Sequence, residues 1–168
     1  KSVCVEGKYF RIHIFLTTHN TRTPNATGRG TLGGTCLNVG CIPSKSLLES
    51  SKHYHHAKDG MEKHGVICDN VRLDLDKMHQ AKSDSIKGLT GGIEGLFKKN
   101  KVEYSKGWGK LTGSNEVTVS KEDGSTEVIK AKNIILAMGS EVAELPPVPV
   151  DNSKFKIVDS TGALVLPK

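Results

Sequence analysis

The spacing of apolar and polar positions divides the chain into stretches of different period. Residues 2–5 (SVCV) form a short β-like run that ends on an acid, Glu6. Residues 8–28 follow neither a helical nor a strand period for long. From residue 44 to about residue 58, Leu47, Leu48, Ser51, Tyr54 and Ala57 recur at three-to-four spacing, which predicts a helix; Gly60 and Gly65 bracket its exit. A second helix is predicted from residue 74 to about residue 100, carried by Leu75, Met78, Ala81, Ile86, Leu89, Ile93, Leu96 and Phe97. Gly91 and Gly92 interrupt it, and because each costs about 1 kcal/mol relative to alanine, a break or kink is expected there.

Beyond Val102 the period shortens. Runs at 102–106, 109–111, 116–120 and 126–131 read as strands, separated by the turn signals Thr112-Gly113-Ser114-Asn115 and Glu122-Asp123-Gly124-Ser125. They predict an antiparallel meander or set of hairpins. Residues 133–137 are apolar and β-rich and are closed by Gly139, the pattern of a buried strand. After Leu145-Pro146-Pro147 the chain is irregular. A strand, two helices, a meander and a buried strand together imply an α/β sheet with an antiparallel layer attached.

The bulk numbers narrow the function classes. The 168 residues suffice for one domain, and 36% hydrophobic with 25% charged residues is an ordinary globular balance. No apolar run approaches the roughly 20 residues of a spanning helix, so no membrane partner is expected. The net charge of +6 comes from dispersed lysines, accompanied by one Trp, three Tyr and four Phe. Nucleic-acid binding requires a basic patch, ideally with stacking aromatics, and is not expected here. The chain opens on Lys1 rather than Met, without a targeting pattern, so any address segment is expected to lie outside it.

The concentrated chemistry lies in Gly33-Gly34-Thr35-Cys36-Leu37-Asn38-Val39-Gly40-Cys41-Ile42-Pro43-Ser44-Lys45. A structural zinc site would need four converging ligands, commonly with two-residue spacings, whereas Cys4 and Cys68 are isolated. A structural disulfide is disfavoured in a reducing compartment. A redox disulfide fits better: the short separation lets the sulfurs meet, and a helix starting at the pair would favour a thiolate. Lys45 adds a positive charge one turn on. His53, His55 and His56 sit on the first helix; His53 and His56 are one turn apart, but metal sites need further ligands and an exposed helix face is the simpler reading.

The run GGTCLNVGCIPSK resembles the active-site signature of the pyridine nucleotide–disulfide oxidoreductases. With GGIEGLFKKNKV and STGAL downstream, the wording is most similar to the lipoamide-oxidising branch of that family, from residue 29 to about residue 166. The resemblance implies a partial FAD-binding Rossmann-like domain over residues 1–145, with the meander attached and truncation at both ends. Residues 146–168 would begin the connection toward an NAD-binding domain. It further implies that Cys36 is the interchange thiol, that Cys41 lies against the flavin, and that Lys45 sits near the reactive flavin nitrogen. Glu6 would bind the adenosine ribose, as strand-end acids do in dinucleotide folds. Gly33, Gly34 and Thr35 would pack along the dinucleotide, and Gly107-Trp108-Gly109 would form a loop meeting the adenine end. Met138, Gly139 and Ser140 resemble a second flavin fingerprint in which Met138 replaces the usual threonine.

The implied activity is oxidation of dihydrolipoyl groups through FAD to NAD, in a mitochondrial homodimer serving 2-oxoacid dehydrogenase complexes. Two alternatives stay open: a related glutathione or mercuric-type reductase, and a truncated or mis-spliced product that binds no flavin. The family's opening fingerprint, a GxGxxG directly after the first strand whose helix would cradle the FAD pyrophosphate, has no match. The family's His–Glu acid–base pair and NAD motif also have no match, so the chain alone is expected to be incomplete and inactive. Residues 8–28 are extra relative to the family pattern: removing them leaves SVCVEGRGTLGGTCLNVGC. Gly7-Lys8-Tyr9 can be encoded by a splice-donor string and Thr27-Gly28 by an acceptor, so the segment reads as a retained intron or a gene-model insertion. The sequon at Asn25 is of a kind that arises often by chance.

Overall fold

The computed structural model describes residues 2–6, 11–13, 32–136 and 142–167, the first two stretches through their backbone. Strand β1 (Ser2–Glu6) lies between β2 (Arg11–His13), antiparallel to it, and β3 (Val102–Lys106), parallel to it. A parallel pair needs a long crossover. Among its described residues the crossover holds three α-helices: α1 (Gly34–Val39), α2 (Cys41–His55) and α3 (Leu75–Lys99). Strands β4 (Trp108–Gly113), β5 (Glu116–Ser120) and β6 (Thr126–Lys130) form a separate antiparallel meander in the order β4-β5-β6.

The run at 102–106 is therefore a strand with the expected bounds but a different partner. It joins the parallel sheet rather than the meander, and the chain changes sheets at Gly107. There a Cβ would lie 2.6 Å from Val119 Cγ1 and 2.7 Å from the Ser120 carbonyl, and φ is +157°, so glycine is what the crossover point admits. Val117 and Val119 fill the meander's buried face.

The helix layer closes on a small core. Leu32 and Phe97 are buried, with Ile93 and Val102 packed against them. Phe97 also meets Tyr104 edge-on, with ring centroids 6.0 Å apart. Helix α3 begins at the Asp74 cap, whose carboxylate accepts from the Lys77 N–H, and ends at Asn100. It runs through Gly91 and Gly92 without the expected break. Both glycines face open space, and the packing of Ile93 beside them and of Phe97 a turn beyond holds the helical path against their roughly 1 kcal/mol penalties.

Helix α2 begins three residues before the expected start, with Pro43 in its first turn, where a missing N–H costs no intrahelical bond. It passes into a single π-turn at His56–Gly60. Leu48 and Ser51, expected on its buried stripe, are exposed. Residues 133–136 form no strand, and Ile135 and Leu136 are exposed. No strand among the described residues pairs with them, so the expected buried strand has no ladder to join. A short 3-10 turn (Gly162–Val165) ends the described chain.

Candidate functional site

The cysteine motif folds as two helices meeting at Gly40. Gly33 caps α1 at φ +111°. Behind the turn, Leu32, Gly33, Asn38 and Pro43 are buried. The Asn38 amide donates to the carbonyls of Leu32 and Gly34, at 3.4 and 2.9 Å, so the α1 turn is fixed from inside. At Gly40 a Cβ would sit 2.7 Å from the Thr35 carbonyl oxygen, a close approach only glycine allows. The Gly40 carbonyl then accepts from the Ser44 N–H at 3.1 Å and from Ser44 Oγ at 2.6 Å.

This turn carries Cys36 on α1 up to Cys41, the first residue of α2. Both thiols are free and exposed, and they lie near enough for Cys41 to act on Cys36. That proximity pushes the Cys36 thiol above its ordinary value, aided by desolvation and by charge repulsion from Cys41; the Lys45 ammonium pulls the other way. The earlier start of α2 puts Cys41 at a helix N-terminus, but on Cys36 the neighbouring sulfur outweighs the Lys45 ammonium. Thr35, Cys36, Cys41 and Lys45 are all exposed, while Leu32, Gly33, Asn38 and Pro43 behind them are buried.

The other candidate residues are dispersed. Glu6 ends β1, opposite Arg11 in β2 and Lys106 in β3. Gly33 is buried and Gly34 half-buried beside Thr35. Gly109 is buried inside β4 opposite Val119, within a strand rather than in a loop; of the three loop residues, only Gly107 lies outside a strand. Met138, Gly139 and Ser140 lie outside the described residues. The histidines on α2 point to separate acids, His55 to Asp59 at 3.0 Å and His53 to Glu49 at 3.6 Å. Among the described residues no three His, Cys, Asp or Glu side chains converge on a metal-sized site, and no helix is long and apolar enough to cross a membrane.

One polar site was missed by the sequence reading. Lys82 is buried on α3, and its Nζ donates to the Leu164 carbonyl at 2.5 Å and meets His79 Nδ1 at 3.2 Å. His79 Nε2 in turn meets the Leu166 carbonyl at 3.0 Å. Burial lowers the Lys82 pKa. The pair ties the 3-10 turn of the STGAL segment to α3. The available signal was position: Lys82 sits four residues from both Met78 and Ile86, on the stripe that leads to Phe97.

The sequence profile of the pyridine nucleotide-disulphide oxidoreductases matches residues 13–168. Mitochondrial dihydrolipoyl dehydrogenase of Dictyostelium discoideum is 59% identical over 138 residues, covering 82% of this chain and 28% of the relative. The Homo sapiens enzyme of the same name is 56% identical over 140 residues, covering 82% of this chain and 27% of the relative. The chain thus spans little more than a quarter of the curated relatives it matches. Among solved structures, LpdA from Mycobacterium tuberculosis superposes with a TM-score of 0.71 at 19% identity, over 82% of this chain and 30% of that one, which speaks to the fold alone. With the profile matching nearly the whole length, the chain belongs to the pyridine nucleotide-disulphide oxidoreductase family.

Proposed function

We propose that these residues are the disulfide-bearing part of the FAD domain of a mitochondrial dihydrolipoamide dehydrogenase. The observation that carries this reading is the placement of two exposed free thiols, Cys36 on α1 and Cys41 at the start of α2, across the Gly40 turn, with Lys45 one turn on. Relatives bearing that name at more than half identity support the choice of substrate.

In the oxidised pair, one thiolate of a dihydrolipoyl group attacks Cys36 Sγ and displaces Cys41 as thiolate. The second substrate thiol attacks the mixed disulfide, closing the substrate's own disulfide and leaving Cys36 and Cys41 reduced. Two electrons and two protons thereby move from substrate to the pair. The raised pKa of Cys36 suits it to hold one of those protons. FAD, when bound, supplies the two-electron acceptor that restores the disulfide, and NAD is the final acceptor. Thr35, Cys41 and Lys45 would face the flavin ring, with Gly33, Gly34, Glu6, Gly109, Met138, Gly139 and Ser140 along the rest of the cofactor. Lipoyl groups of 2-oxoacid dehydrogenase complexes are the natural partners, and a homodimer is the natural assembly. The 168 residues have no match to the family's acid–base pair or NAD motif, so alone they are expected to form no NADH.

The test uses the purified, oxidised chain mixed with dihydrolipoamide, the released thiols being alkylated and located by mass spectrometry. Two new thiols, at Cys36 and Cys41, are expected, without NADH formation. Failure of dihydrolipoamide to open the pair overturns the reading; NADH formation by this chain overturns the assignment of the NAD step to residues elsewhere.

A further inference from the structure

We propose that β2 occupies the edge of β1 at which a doubly wound dinucleotide domain seats its glycine-loop strand, so that the form of the protein carrying residues 8–28 does not hold FAD. The inference rests on the FAD-domain reading above and concerns what the 8–28 segment does to it.

In a doubly wound sheet the strands run in the order 3-2-1, and the acid that meets the ribose ends strand 2. Strand β1 ends on Glu6 and pairs in parallel with β3, from Ser2↔Val102 to Glu6↔Lys106. That makes β1 the counterpart of strand 2 and β3 the counterpart of strand 3. The free edge of β1 is then the place of strand 1, the strand that leads into the pyrophosphate-binding glycine loop.

Here that edge is taken. Cys4, Val5 and Glu6 pair antiparallel with His13, Ile12 and Arg11. A strand has two edges, and each outward N–H and C=O on an edge serves one neighbour. The pairs also fall at the carboxyl end of β1, where the crevice of such sheets receives its ligand. Only a few residues separate Glu6 from Arg11, so β2 pays far less loop-closure entropy than a strand from a distant segment. A local hairpin therefore competes well for the edge, and with it in place the glycine loop has no strand position next to Glu6. The segment that reads as a retained intron would act as a built-in block: its removal opens the edge, its retention closes it.

The test replaces the matching region of the full-length Dictyostelium relative with this chain, so that the relative's preceding and following segments are both present, in three forms. One keeps residues 8–28, one lacks them, and one keeps them with Arg11→Pro and Ile12→Pro. Neighbouring strand positions alternate toward and away from β1, so replacing both removes whichever N–H faces it. FAD carried through gel filtration is read by its visible absorbance. The form lacking 8–28 is expected to carry near-stoichiometric flavin, the form keeping it about tenfold less or lower, and the double-proline form to recover most of the difference. Equal flavin in the first two forms overturns the block while leaving the FAD-domain reading intact. No recovery with the prolines also overturns it, since the loss then comes from the inserted length rather than from edge pairing. No flavin in the form lacking 8–28 overturns the FAD-domain reading itself and the block with it.

Discussion

The cysteine turn and the Lys82 junction solve opposite problems with the same means. At the cysteine turn, Leu32, Asn38 and Pro43 are buried so that two reactive side chains can stay outside, fixed by backbone contacts beneath them. At the junction a cation is buried, and the groups that satisfy it are the carbonyl of Leu164 and the ring of His79. One region keeps polar chemistry in water on a rigid floor; the other takes a charge out of water to bind two chain segments together. The difference shows in how each would fail. The turn depends on the absence of a side chain at Gly40, the junction on the presence of one at Lys82.

The largest effect expected is from Gly40→Ala. The new methyl would stand 2.7 Å from a backbone oxygen that cannot rotate away, so α1 and α2 must separate. Overpacking of this kind costs about 1–3 kcal/mol, and the value here should fall at the upper end. Chemical denaturation would measure it, and the same variant should form the Cys36–Cys41 disulfide more slowly. Lys82→Met keeps the aliphatic stem but leaves the Leu164 carbonyl without its donor. A loss of about 1–2 kcal/mol is expected, offset in part by removing a desolvated charge, with faster amide exchange confined to the Gly162–Val165 turn. If exchange rises equally across α2, the two regions are not independent.

Smaller effects separate electrostatics from packing. Lys45→Met removes the cation that pulls the Cys36 thiol down, so the pH midpoint of its alkylation should move further upward, with little change in stability. The smallest effect is expected at Asp151. Ser153 and Lys154 hold its carboxyl down at about 2, below the ordinary carboxylate value. A depressed pKa contributes stability above the unfolded value of roughly 4, and that contribution is lost as pH falls from there through about 2. The melting temperatures of the parent chain and Asp151→Asn should therefore differ slightly at neutral pH and converge toward pH 2.

What was legible in the sequence follows from how local each feature is. The thiol pair could be read because its spacing, its glycines and Lys45 lie within one short run. The bounds of β3 and β5 could be read because period two and the flanking turns are local as well. The partner of β3 could not: pairing with β1 spans the whole helix layer, and nothing in residues 102–106 distinguishes a parallel neighbour from a hairpin. Helix α1 was not read because six residues between Gly33 and Gly40 are too few to show a helical period, and the local Asn38 bonds that hold it leave no mark on that period. Continuity through Gly91 and Gly92 was decided by Phe97 and Leu32, which no propensity scale sees. Lys82 was passed over because charge marks a residue as surface unless a partner is known, and its partner is 82 residues away.

The most direct test of the central claim is a disulfide map of the air-oxidised chain by nonreducing digestion and mass spectrometry. A single dominant cross-link between the peptides holding Cys36 and Cys41, with Cys68 recovered as a free, alkylated thiol, is the predicted result. Cross-links that instead join Cys68 to either residue, or a chain in which Cys36 and Cys41 stay reduced, would contradict it.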